Sequence, residues 1–400
     1  MHVAKRVREA ASSATLAFTH RVVELQRSGR DVISFVAGEP DFETPKHVKE
    51  AAIRAIQEGK TTYTQNTGIH ELREAVAARV NRNWGSAYHP DDVLIASGAK
   101  HAIANAVFAL CDSGDEVIIF SPYWVSYPEM VRLAGATPVI VPTRFDRKFD
   151  LDLAALERAL SSRTKAVLFN NPVNPTGRVY TVEALDALVE RLRSHDLFVI
   201  SDEVYERIVY GVRFHSLAAF PDLRDRLVVV SGVSKTYAMT GWRIGYALGP
   251  REVISQMAKL QGHMTSNACT VSQWAALAAL TGPQDAVEKM VGEFRRRRDF
   301  CLERLREIPG LKYYLPEGAF YFFVDVSAYL GKRTGAGDIQ TPFDLCMYLL
   351  EEQGLALVPG EGFGSHTHVR ISYTASLKTL ARGLARLASG LQNLGSPAAH

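Results

Sequence analysis

No stretch of these 400 residues is apolar for long enough to span a bilayer. The first ten, Met1-His-Val-Ala-Lys-Arg-Val-Arg-Glu-Ala10, are charged where a secretory leader would need an apolar core. Cysteine is scarce: Cys111, Cys269, Cys301 and Cys346 are scattered with no CxxC pair, which argues against a disulfide framework or a cysteine-built zinc site and fits reduced thiols in the cytosol. Charge of one sign is also missing. Lys and Arg number 46 against 43 Asp and Glu, a net +3, so nothing calls for nucleic acid or an acidic membrane as partner. These absences lead us to expect a soluble cytoplasmic protein.

At 400 residues the chain is too long for one small core, and a prior of roughly 150 residues per domain predicts two to three. Residues 15–30 read as a helix ending at Gly29, followed by a short strand over Asp31–Val36. Helices are expected over 46–58 and 69–84, on either side of a polar loop, Thr61-Thr-Tyr63-Thr-Gln-Asn-Thr-Gly68. From 91 to 250 short apolar runs alternate with helical stretches: Val93–Ala96, Glu116–Phe120, Thr137–Val141, Lys165–Phe169, Leu197–Ile200, Leu227–Val230 and Ile244–Ala247. Continuous apolar strands separated by helices predict a mostly parallel seven-stranded sheet buried on both faces. Ligands of such sheets bind beyond the carboxyl ends of the strands, so the residue after each run is the one to inspect.

The most informative of these ends is Ser231-Gly-Val-Ser-Lys235-Thr-Tyr-Ala-Met-Thr-Gly-Trp-Arg243-Ile-Gly245. It sets Lys235 on a tight loop between two core strands, where partial desolvation disfavours the ammonium and leaves a nucleophilic amine. That is the setting a Schiff-base lysine needs. Most lysines are surface residues, but small and apolar flanks fit that reading poorly. Ser97-Gly98-Ala99-Lys100 opens a helix, whose free amides and dipole make an anion site. Ser121-Pro-Tyr-Trp124 puts an aromatic at a strand end, where it could stack on a flat ring or be core. Asn170-Asn-Pro-Val-Asn174-Pro-Thr-Gly177 is a polar turn that could be only a connector. At Ser201-Asp202-Glu-Val-Tyr205 a carboxylate ends a buried strand and needs either a cationic partner or a helix to cap.

Taken together, Gly232 to Gly245, the Asn-Pro-Thr-Gly turn and Asp202 resemble class I and II aminotransferases, the pyridoxal 5'-phosphate (PLP) enzymes of fold type I. The resemblance covers 15–385 and is closest to bacterial aspartate aminotransferases. It implies an α/β fold: residues 41–285 as the large PLP-binding domain, 286–400 as a smaller α+β domain, and 1–40 as an arm that joins the small domain. It implies Lys235 as the catalytic lysine joined to PLP and Asp202 opposite the ring nitrogen. Asn174 and Tyr205 are then expected at the ring oxygen and Trp124 stacked on the ring. Ala99, Lys100, Ser231, Ser234 and Arg243 are expected at the phosphate, where Tyr63 would reach from the partner subunit of a homodimer with shared sites. Gly38 would lie against the substrate with Trp124 and Asn174. Arg370 would fork to its α-carboxylate and Lys100 would meet its distal carboxylate.

The reaction so implied is L-aspartate with 2-oxoglutarate giving oxaloacetate and L-glutamate. Aromatic or prephenate transamination and β-elimination are the alternatives. A non-catalytic sensor of the kind fused to DNA-binding regulators would carry a winged-helix segment, and only a short arm precedes Thr15. Two local features depart from the pattern. Glu361, in Val358-Pro-Gly-Glu361-Gly-Phe-Gly364, stands where the family has a small hydroxyl residue, which would alter a substrate contact. The loop Gln261-Gly-His-Met-Thr265-Ser-Asn267 holds no counterpart of the arginine that other aspartate aminotransferases use. Past residue 250, a helix near 283–307 carries Arg295-Arg-Arg-Arg298, read as a solvated face. Strands are expected at Phe320–Asp325, near Leu355–Val358 and at His368–Ser372, with a helix at 342–353. Strand alternation sets His366, His368 and Arg370 on one face, but no further metal ligand accompanies the two histidines. Gly395–His400 reads as a frayed tail.

Overall fold

The computed structural model describes Ala4, Val7, Arg8 and residues 14–335 and 337–395. Much of the charged amino-terminal segment, and the expected tail past Gly395, lie outside the described residues. Helix α1 (Ala14–Arg27) leads to strand β1 (Ile33–Ser34), then α2 (Lys46–Gln57) and α3 (His70–Trp84). Gly85 closes α3 in a left-handed conformation, φ 68°, which lets the helix stop without a Cβ penalty.

The large sheet is built from β2 (Val93–Ala96), β3 (Glu116–Ser121), β4 (Thr137–Pro142), β5 (Thr164–Asn170), β6 (Phe198–Asp202), β7 (Leu227–Gly232) and β8 (Gly245–Leu248). Their order is β2-β8-β7-β6-β5-β3-β4. All run parallel except β8, which is antiparallel to both neighbours. The exception has a local cause: the 233–244 connection contains no helix, and a parallel return would need a crossover. Helices α4 (Ala99–Leu110), α5 (Tyr127–Leu133), α6 (Leu153–Ala159) and α7 (Val182–Leu192) connect the strands, and α8 (Arg251–Met264) and α9 (Thr270–Thr281) follow. Every residue of β2, β3, β7 and β8 is buried, as expected for strands covered on both faces.

Beyond the long helix α10 (Asp285–Arg306), β9 (Lys312–Tyr313) and β10 (Tyr321–Asp325) join β14 (Val358–Pro359) and β15 (His368–Ser372) in an antiparallel sheet ordered β14-β15-β10-β9. A small hairpin, β11 (Arg333–Thr334) and β12 (Gly337–Asp338), precedes α11 (Pro342–Gln353); β13 (Leu355–Ala356) follows it, and α12 (Leu377–Gln392) comes last. The start of α11 is well specified: Thr341 and Asp344 form a reciprocal capping box, with Pro342 at the first helical position.

Three expectations change. The strand over Asp31–Val36 shrinks to β1, which pairs in parallel with β13, and the run near Leu355–Val358 splits. Its first half pairs with β1 and its second with β15, so no single strand can hold both. The basic run is not a solvated face either. Arg297 is buried, bonds Asp41 at 2.7 Å and lies over Phe42, while Arg298 is buried and donates to the Pro316 carbonyl. Only Arg295 and Arg296 are exposed. Among the described residues no helix is long and apolar enough to cross a membrane.

Candidate active site

A cavity of about 470 Å³, well within the range of small-molecule sites, opens where the carboxyl ends of the large sheet face the small sheet. Four basic side chains line it, Lys100, Lys235, Arg243 and Arg370, against one carboxylate, Asp202. Such an imbalance fits a ligand set that is strongly anionic.

Lys235 follows β7 and reaches back so that its Nζ donates to the Gly38 carbonyl. Burial, aided by the charges of Arg370 and Arg243 and opposed by Glu39, brings its pKa down to about 8. Near neutrality a usable fraction is therefore free amine. Asp202 ends β6 in full burial. Burial pushes its pKa up to about 6, against the Tyr127 hydroxyl, the Val204 amide and the charge of Lys235. The shift corresponds to about 3 kcal/mol against the charged form. Its Oδ2 accepts from Tyr127 at 2.6 Å and its Oδ1 from the Val204 amide at 3.2 Å. No helix follows, so the capping reading fails, and no cation bonds the carboxylate among the described residues.

The turn expected to cradle an anion lies where Gly98, φ 90°, carries the chain from β2 into α4. The Arg243 guanidinium packs over this turn so closely that a Cβ at Gly98 would collide with it. A Cβ at Gly245 would equally collide with the Ala99 amide nitrogen, so two glycines permit the approach of loop, strand end and arginine. Among the described residues Arg243, itself at φ 56°, bonds only neutral acceptors, the Thr240 carbonyl at 2.9 Å and the Ser97 carbonyl at 3.4 Å. Lys100 points its Nζ to 4.8 Å from the centre of the Trp124 ring, and burial first, then Arg243, lowers its pKa.

On the opposite wall Arg370 donates to Asn174 Oδ1 at 3.2 Å and to the Val36 carbonyl at 2.9 Å, while its buried Nε has no partner. With Asn174 Oδ1 so engaged, the amide NH₂ of Asn174 remains a donor. Tyr205 meets Tyr321 hydroxyl to hydroxyl at 2.9 Å.

Of the residues picked out in the sequence, Gly38, Ala99, Lys100, Trp124, Asn174, Asp202, Tyr205, Ser234, Lys235, Arg243 and Arg370 all line this cavity. Ser231 does not. It is still inside β7, buried, with its hydroxyl on the Glu203 carbonyl. Nor does Tyr63, which is 89% exposed on its loop. Glu361 is also outside the lining, so the expected change in substrate contact is replaced by a capping role: Oε1 accepts from the Phe343 amide in the first turn of α11 at 3.0 Å. His368 is stacked on Phe323 at 4.7 Å while His366 is exposed, and no cluster of metal-binding side chains occurs among the described residues. Among the lining residues that nothing in the sequence singled out are Tyr127 and Tyr321.

An arginine bonded to neutral carbonyls at a glycine-built amide cradle, and a buried carboxylate lacking a cation, together fit PLP, an anion carrying a ring that can be protonated. Fold and cavity thus define an α/β enzyme that works with a flat phosphorylated cofactor at the ends of its strands. Residues 30–387 match the family model described as aminotransferase class I and II. An aspartate aminotransferase of Geobacillus stearothermophilus is 44% identical over 97% of this chain and 98% of that protein. A Petunia hybrida protein named bifunctional aspartate aminotransferase and glutamate/aspartate-prephenate aminotransferase is 45% identical over 98% of this chain and 83% of its own length. The crystal structure of an aspartate aminotransferase from Rhizobium meliloti superposes with a TM-score of 0.96 at 43% identity, covering 99% of this chain and all of that one. The chain belongs to the class I and II aminotransferases, and its cofactor is pyridoxal 5'-phosphate.

Proposed function

We propose that this enzyme transfers the amino group of L-aspartate to 2-oxoglutarate, giving oxaloacetate and L-glutamate. When bound, PLP supplies an aldehyde that captures the amino group and a protonated ring that takes up electron density from Cα. Lys235 holds the cofactor covalently and then, as a free amine, takes and returns the proton at the substrate Cα. Asp202 keeps its carboxylate toward the ring nitrogen, braced by Tyr127. Asn174 and Tyr205 donate to the ring oxygen, and Trp124 covers the ring. The Ala99 and Lys100 amides, Ser234 and Arg243 hold the phosphate. Arg370 forks to the α-carboxylate through its guanidinium, with Gly38 and Asn174 beside it, and Lys100 meets the distal carboxylate.

The observation that carries this reading is Lys235 and Asp202 in one cavity with three further cations. The aspartate preference rests on Lys100 in that cavity and on the aspartate aminotransferases among the relatives. Prephenate as a second amino acceptor is supported by the Petunia relative. We also propose a homodimer in the cytoplasm, with Tyr63 completing the partner's phosphate site. In its favour, Tyr63, Ile53, Ile56 and Met264 are exposed apolar groups on one chain. A sedimentation mass of one chain at micromolar concentration would sink the dimer.

The test of the reaction is an absorbance scan of the purified protein. The wild type should carry the band of a lysine-linked cofactor and lose it on adding aspartate, with 2-oxoglutarate restoring it. Lys235→Ala should lack the band, and an unchanged band in that variant contradicts the proposal.

A further inference from the structure

Tyr321 opens β10, is fully buried, and faces the cavity with no role in the reaction so far. Three functional groups converge on it. Its hydroxyl is 2.9 Å from that of Tyr205. Its ring face is 4.4 Å from the guanidinium carbon of Arg370. Its hydroxyl also stands 3.3 Å from where a Cβ on Gly38 would be, and the Gly38 carbonyl is what Lys235 bonds. The register explains the second contact: Tyr321 pairs with Ser372 across the sheet, which makes Arg370 its diagonal neighbour on the same face.

Arg370 needs that ring. It is buried, forms no ion pair among the described residues, and bonds only neutral oxygens through its two terminal nitrogens. Burial works against its charge, so what offsets the lost hydration is the π-faces of Tyr321 and, at 5.0 Å, Phe363. A ring against the flat guanidinium also fixes its plane, and a planar fork binds a carboxylate only when that plane is held. The hydroxyl pair has its own logic. Both phenols are held protonated by burial. If Tyr205 spends its proton on the cofactor's ring oxygen, the proton between the two hydroxyls must come from Tyr321. A hydroxyl that accepts one bond becomes a stronger donor in the next.

We infer that Tyr321 is a positioning residue with two separable duties: its ring face fixes the Arg370 fork, and its hydroxyl donates to Tyr205 and strengthens Tyr205 as a donor to the cofactor. The inference rests on the roles proposed above for Tyr205 and Arg370. It predicts opposite patterns in two variants of the holoenzyme, Tyr321→Phe, which keeps the ring, and Tyr321→Met, which keeps volume but no π-face. Maleate is the probe, a planar dicarboxylate with no amino group to transfer.

Tyr321→Phe should bind maleate within about twofold of wild type, since its ring remains under Arg370. Its bound-cofactor absorbance should change form at a higher pH, because a weaker Tyr205 donor leaves the ring oxygen more basic. Its kcat should fall severalfold with KM unchanged. Tyr321→Met should raise the maleate Kd by about tenfold. Tyr321→Leu replaces it if the Met variant does not load cofactor. Equal weakening of maleate in the Phe and Met variants overturns the inference, as does an absorbance midpoint in Tyr321→Phe that coincides with the wild type. Those results leave the parent reading intact, whereas a wild-type protein that takes up no cofactor overturns both.

Discussion

The seven-stranded and four-stranded sheets wall one cavity, but they place their polar groups differently. The large sheet delivers them at strand ends and in the loops beyond: Ala99 and Lys100 after β2, Trp124 after β3, Asn174 after β5, Asp202 at the last position of β6 and Lys235 after β7. There the backbone has unpaired amides to spare, as Asp202 uses that of Val204, and Lys235 on its loop can reach the Gly38 carbonyl in the segment after β1. The small sheet delivers its groups from within strands, Tyr321 from β10 and Arg370 from β15, where the ladder has consumed the backbone. A cation placed there finds no backbone partner on its own strand, and Arg370 leans on Asn174, Tyr321 and Phe363 and on the Val36 carbonyl of the segment after β1. The contrast teaches that the groups proposed to react sit where strand ends leave backbone free to compensate charge, while the proposed substrate clamp sits inside a strand whose own ladder offers it none.

The sharpest way to break this comparison is at the clamp. Arg370→Lys keeps the charge but not the fork, and kcat/KM for aspartate should fall by about 10²-fold or more, as expected when a two-bond, charge-assisted contact is lost. Steady-state kinetics with cofactor occupancy checked by absorbance measures it. A loss under about threefold would mean that a point charge suffices and that the planar clamp is a misreading.

A smaller effect sharpens the other side. Glu203, next to Asp202, is fully buried, and burial pushes its pKa up to about 8, with Ser201 and the Leu217 amide as partners. Its folded pKa lies above the ordinary carboxyl value of 4.5, so its contribution to stability is complete below that value. The contribution is lost as pH rises toward 8, because the unfolded chain gives up the proton first. Glu203→Gln should therefore be less stable than wild type at pH 5 or nearly equal to it, and gain relative to wild type as pH rises to 8. Paired thermal melts across that range read the difference. A difference independent of pH would show that Glu203 is ionised in the fold.

The same contrast explains what the sequence disclosed. Lys235, Asp202, Asn174 and Trp124 each follow an apolar run, so the end of the run marks them, and the parallel sheet supplies the reason to look there. Ser231 and Ser234 show how fine that signal is: the former is still in the ladder of β7 and the latter is past its end. Tyr321 sits in Phe320-Tyr-Phe-Phe323, where a site tyrosine is indistinguishable from core aromatics. Arg370 was found only through the family resemblance. Tyr127 begins a helix one turn beyond Trp124, and its hydroxyl's target lies 75 residues away. The arginine run departs from the solvated face expected of it for a geometric reason: four consecutive helical residues sweep roughly 300°, so on a helix packed along one side they cannot all face water.

The central claim is that Lys235 carries the cofactor. Borohydride reduction of the purified protein, followed by digestion and mass spectrometry, tests it most directly. The account predicts one peptide bearing the reduced cofactor, with the added mass on Lys235. Added mass on Lys100 or any other lysine, or a Lys235 peptide unmodified in a protein that shows the cofactor's absorbance, would contradict it.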